Sequence, residues 1–192
     1  MEDLLHTFFR GTSNDVSEIT NERALQLELA YYFRTAGVGV QFEKYFDAAR
    51  LPGSTCKPKV NLDLFLTKEK KRIGIEIKVP LNGKHPETLY DFCADIEFIE
   101  ALLRVSVIEK GYCVLLTNDP VFWKDTGRGS PIHNCFRCHG NTLSGPVNKP
   151  TGQKDTAVVL SGRYIPSVKW QKVGDARLMR GAQYLIIEAS LQ

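Results

Sequence analysis

Apolar and polar positions along the chain repeat with two different periods, and the changes of period mark the elements. From Asp15 to Arg34 the apolar residues Leu25, Leu29, Tyr32 and Phe33 recur at helical spacing, Asp15 and Glu18 have the spacing of a capping box, and Gly37 supplies a stop. A brief lead-in helix around Leu4, Leu5, Phe8 and Phe9 precedes it, closed by Gly11 to Asn14. Val38 to Phe46 reads as a strand. In the next apolar run Val60, Leu62, Leu64 and Leu66 alternate with Asn61, Asp63 and Phe65. In the one after it Ile73, Ile75, Ile77 and Val79 alternate with Gly74, Glu76 and Lys78, so one face of the strand is aliphatic and the other carries Glu76 and Lys78. The polar run Thr67 to Arg72 between them predicts a hairpin. Pro86 then opens a second long helix to about Lys110, with Leu89, Phe92, Ile96, Ile99 and Leu103 as its stripe and Gly111 as its end. Tyr112 to Thr117 is a continuous apolar run, expected of a strand covered on both faces.

The last third is less regular. Residues 124–156 are rich in Gly, Pro, Asn and Lys, which predicts a long loop or an ordered excursion, and Ala157–Leu160 and Gln183–Glu188 read as closing strands. Tyr164, Trp170 and Tyr184 are candidates for core or aromatic surface. The predicted order is thus helix, three strands, helix, strand, then an irregular stretch and closing strands.

Composition narrows the class without naming a function. The 192 residues suffice for one domain, and 43% hydrophobic and 24% charged residues are ordinary for a globular protein. A formal charge of +3 neither demands nor excludes a nucleic-acid partner. Five scattered cysteines and an N-terminus without a basic-then-apolar leader suit a reducing cytoplasm, and no apolar run is long enough to span a bilayer.

The candidate chemistry sits between Asn61 and Val79. A hairpin there sets its strands roughly 5 Å apart and brings Asp63 near Glu76, a separation that suits two carboxylates sharing one hard cation. Glu22 and Glu28 lie on the first long helix, and either looks toward the sheet or toward water. The competing reading for Asp63, Glu76 and Lys78 is an exposed strand face with a surface ion pair. Lys57 and Lys59 flank the region. Further on, His133, Cys135, Cys138 and His139 are of types that ligate Zn²⁺, but one C-x-x-C does not complete a site, the histidines sit close to the cysteines for tetrahedral geometry, and ordinary packing is the favoured reading. Arg128, Arg137, Lys149 and Lys154 are candidates for phosphate contacts or for a solvated charged loop.

A helix bearing Glu22, then Asp63, then Glu76-x-Lys78, in this order, resembles the PD-(D/E)xK nuclease superfamily over roughly residues 15–120. The proline usually written before the aspartate is absent, and Leu62 stands in its place. The resemblance implies an α/β restriction-endonuclease-like core, a central mixed sheet flanked by helices, that cleaves nucleic-acid phosphodiesters with Mg²⁺. Mn²⁺ would be a substitute. It implies Asp63 and Glu76 as metal ligands, the Ile77 backbone carbonyl as a further oxygen, Glu22 as the helix carboxylate and Lys78 as the catalytic lysine. Asp95-Ile96-Glu97, Leu116 to Asp119, Trp123 and Phe136-Arg137 also resemble uncharacterised bacterial proteins with that nuclease core. The expected substrate is DNA, in duplex form, cut by a homodimer or with a partner protein, in restriction or other defence against foreign DNA. A non-catalytic nucleic-acid-binding or scaffold protein and an RNA-directed nuclease are the alternatives.

Overall fold

A computed structural model describes residues 1–11, 19–47, 51, 60–80, 85–125, 127, 129–138, 140–151, 156–174 and 181–191. The N-terminal helices are α1 (Glu2–Arg10) and α2 (Glu22–Thr35), followed by strands β1 (Gly39–Tyr45), β2 (Asn61–Lys68) and β3 (Lys71–Lys78). Helix α3 (His85–Arg104) leads to β4 (Lys110–Thr117), and α4 (Pro131–Arg137) to β5 (Leu143–Asn148) and β6 (Ala157–Tyr164). Two short strands, β7 (Gln171–Lys172) and β8 (Gln183–Glu188), end the order.

Six strands form one mixed sheet in the order β1-β2-β3-β4-β8-β7. Only β3 and β4 run parallel, as the α3 crossover between them requires. The β2–β3 hairpin turns at Glu69 and Lys70, both in the left-handed region at φ 51° and 67°, and the strands pair right up to it through Lys68 and Lys71. One face packs Leu64, Leu66, Ile73, Ile75, Ile77, Val114 and Ile186 against Leu5, Phe9, Leu25, Leu29 and Phe33 of α1 and α2. On the other face Leu62, Phe65, Cys113, Leu115 and Leu185 meet Leu89, Phe92, Ile96, Ile99 and Leu102 of α3.

Several boundaries differ from the sequence expectation, each for a local reason. Helix α2 starts at Glu22, not Asp15, because Asn21 caps it by accepting the Ala24 N–H at 2.9 Å. Asp15 and Glu18 lie outside the described residues, as do Lys57, Lys59, Arg128, His139 and Lys154. Helix α3 stops at Arg104, short of Lys110, because Ser106 adopts φ 55° and the Val107 N–H turns back to the Leu102 carbonyl. Gly111 is no stop signal. It lies in β4 beneath Ile99, where a Cβ would run into that side chain, and Gly74 of β3 meets the same isoleucine.

The segment read as a loop excursion contains α4 and β5. Strand β5 pairs with β6 in a separate two-stranded ribbon, so β6 does not close the main sheet as expected. The ribbon packs on α3, which explains why from Leu89 to Leu102 only Asp91 and Ala94 are not buried. Two buried carboxylates of α3 fasten it. Glu97 accepts the Val159 N–H at 2.9 Å, and Glu100 accepts the N–H groups of Ser161 and Gly162 and the Tyr164 hydroxyl at 2.7, 2.8 and 2.7 Å.

Candidate functional site

The expected residues converge at the end of β3, where β2 leaves the ladder. Pairing between β2 and β3 ends at Leu64 opposite Ile75, so continuing the antiparallel register sets Asp63 opposite Glu76. Alternation along β2 also breaks there, since Leu62 belongs to the α3-side core and Leu64 to the α2-side core. The Asp63 carboxylate fills the gap: Oδ2 accepts the Ile77 N–H at 2.7 Å in place of a backbone carbonyl. A strand residue's N–H and carbonyl point to the same side, so the Ile77 carbonyl faces the same gap. Behind it the buried Gln26 donates to the Asp63 carbonyl at 2.8 Å and to Glu43 at 3.1 Å.

Lys78 closes β3 and draws in two helices. Its Nζ lies 3.8 Å from Glu22 on α2 and 3.3 Å from Asp95 on α3. Between the two helix glutamates left open by the sequence, it is thus Glu22 that reaches the lysine. The reading of an exposed strand face is corrected: Glu76 is 1% exposed and the Lys78 side chain 19%, because α3 covers this side of the sheet. Partial burial pushes the Glu22 carboxyl above its ordinary value; Lys78 opposes the rise, and the Asp63 and Asp95 carboxylates add to it. Partial desolvation at the helix surface likewise raises Asp91, one turn before Asp95, again against the pull of Lys78 and with the push of Asp95.

Asp95, Asp91 and Gln26 are the site residues that the sequence did not single out for a role. The available signal was spacing: Glu22 with Gln26, and Asp91 with Asp95, each stand four residues apart, one above the other on a helix face.

All the groups gathered here around Lys78 are oxygen donors, which is the donor set of a hard divalent cation. Among the described residues no three His, Cys, Asp or Glu side chains are arranged to hold a metal ion. Mg²⁺ needs fewer, since one or two carboxylates with waters and a phosphate oxygen complete its shell. Asp63 and Glu76 across the hairpin, with the Ile77 carbonyl, fit that smaller requirement. The zinc reading finds no such support at His133, Cys135 and Cys138. The Cys135 thiol faces the Thr142 carbonyl, the Cys138 thiol faces Asp125, and His133 Nδ1 accepts the Ser130 N–H at 3.1 Å.

No protein-family model, curated protein or solved structure matches the chain. Among the described residues no helix is long and apolar enough to cross a membrane.

Proposed function

We propose that this chain is a Mg²⁺-dependent endonuclease hydrolysing DNA phosphodiester bonds on a restriction-endonuclease-like core. The observation that carries the reading is Lys78, held at the end of β3 between Glu22 and Asp95 and beside the Asp63 carboxylate that bridges to Ile77. The order α2, β1, β2, β3, α3, β4 with a parallel β3–β4 pair supports it.

Each residue then has a physical task. Asp63, Glu76 and the Ile77 carbonyl would hold the ion, with Glu22 at its outer shell, and Mn²⁺ would substitute. When bound, the ion supplies charge stabilisation of the phosphoryl oxygens and lowers the pKa of a water ligand. The Lys78 ammonium, set between two carboxylates, would donate hydrogen bonds to the attacking water or to the charge developing on phosphorus. Asp95 and Gln26 act as positioning residues, one on the lysine and one on the strand that carries Asp63. Cutting both strands of a duplex calls for two copies with two-fold symmetry or a partner protein. Defence against foreign DNA is the context we favour, by analogy with the superfamily alone.

Cleavage of supercoiled and linear DNA with Mg²⁺, against a Ca²⁺ control, tests the proposal. Wild type should cut, and Glu76→Ala and Lys78→Ala should lose about 10²-fold or more of the rate. A folded, Mg²⁺-binding wild type that leaves DNA intact would overturn it. Cutting of RNA alone would make it an RNA-directed nuclease, and DNA binding without cutting a binding protein.

A further inference from the structure

The carboxyl ends of β3 and β4 carry a second polar pair that the hydrolytic set does not use. His85, the first residue of α3, brings its Nε2 to 2.6 Å from Asp119 Oδ2, just beyond β4. Asp119 is itself fixed, with Oδ1 accepting the Val121 N–H at 2.9 Å and its own N–H donated to Thr117 Oγ1 at 3.2 Å. The imidazole stands edge-on to the buried Phe122, ring centroids 5.2 Å apart. The pair is reachable, its side chains being 22% and 36% exposed. Lys78 is the last residue of β3 and pairs with Leu115, four positions before Asp119, so both polar groups occupy the same end of the parallel strands. In open α/β sheets that end is where ligands dock.

We propose that His85, oriented by Asp119, binds a backbone phosphate of the nucleic acid flanking the bond that is cut. This rests on the nuclease reading above. With Nε2–H directed at the Asp119 carboxylate, the other ring nitrogen, Nδ1, makes no hydrogen bond among the described residues. It becomes a donor only when the ring is protonated. The charged ring then bridges two anions, the Asp119 carboxylate at Nε2 and a phosphate oxygen at Nδ1. Asp119 is therefore a positioning residue. Asp119 faces the ring directly, His133 of α4 lies within electrostatic reach of it, and Arg137 of α4 lies within electrostatic reach of Asp119. His133 does not mimic the effect, because burial, Arg137 and His85 together disfavour its charged form.

The test is the affinity of the full chain for a labelled DNA duplex in Ca²⁺, measured by anisotropy as a function of salt. His85→Gln should bind roughly fivefold to tenfold more weakly and lower the salt slope by about one. Asp119→Asn, which removes the carboxylate that orients the ring, should weaken binding in the same direction. Thermal melts of each variant separate a loss of fold from a loss of contact, and cleavage in Mg²⁺ by His85→Gln should show a raised KM with kcat retained. A folded His85→Gln that binds like wild type at every salt concentration, while wild type still cuts, overturns this proposal alone. A wild type that neither binds nor cuts removes the nuclease reading and this proposal with it.

Discussion

Glu22 shows how a carboxylate drawn toward a partly buried lysine opposes the stability of the fold that holds it. Burial raises its proton affinity on folding, so the ionised form disfavours the native state. That cost is absent below the ordinary glutamate value of 4.5 and grows as pH rises through the higher folded value. Glu22→Gln should therefore unfold at higher urea than wild type near neutral pH and at the same urea near pH 4, a comparison of denaturation midpoints at two pH values. Asp63 instead supports the fold through a direct contact. Asp63→Ala leaves the Ile77 N–H without its acceptor and should cost about 1–3 kcal/mol by the same measurement, with Asp63→Asn closer to wild type because it keeps an oxygen there. The strand alternation made Asp63, Glu76 and Lys78 legible as a group. Asp95 was not, because sequence spacing on α3 shows an apolar stripe but not that the ribbon and sheet together enclose nearly every other face.

At the level of elements, the periodic pattern located β2, β3, β4 and β8, and the C-terminal end of α2, to within a few residues where each has a covered face and a terminating signal of its own. It failed where one residue served two readings. Gly111 looks like a helix stop, yet its work is to let α3 lie close on β4, which requires knowing that Ile99 lands there. Gly111→Ala should destabilise the fold by about 1–3 kcal/mol through overpacking, visible as a lowered Tm, and the double variant with Ile99→Val should recover part of the loss. Strand β6 was legible from Ala157 to Leu160, but its pairing with β5 in a separate ribbon was not, since part of the attachment to α3 comes from Glu97 and Glu100, charged residues that a hydrophobic pattern assigns to solvent. Glu100→Ala leaves the N–H groups of Ser161 and Gly162 without their acceptor and removes one partner of the Tyr164 hydroxyl, and should cost about 3 kcal/mol. Native-state hydrogen exchange should show the loss concentrated in β5 and β6.

For the whole molecule, the segment that carries the motif residues is not the segment that folds. Strand β8, from the far end of the chain, pairs along β4 from Tyr112 to Thr117, and its Tyr184, Leu185, Ile186 and Ile187 fill both cores. A fragment of residues 15–120 should accordingly show the narrow amide dispersion of an unfolded chain in a proton–nitrogen correlation spectrum, while the full chain shows a dispersed one. In that full-chain spectrum one signal stands apart in meaning. The Ile77 amide is bonded to a side chain instead of a strand, so its proton shift follows the charge on Asp63 and not the integrity of the sheet. On the proposed reading, Mg²⁺ drawn to Asp63 shifts that single resonance, a gauge built into the backbone and readable before any substrate is known.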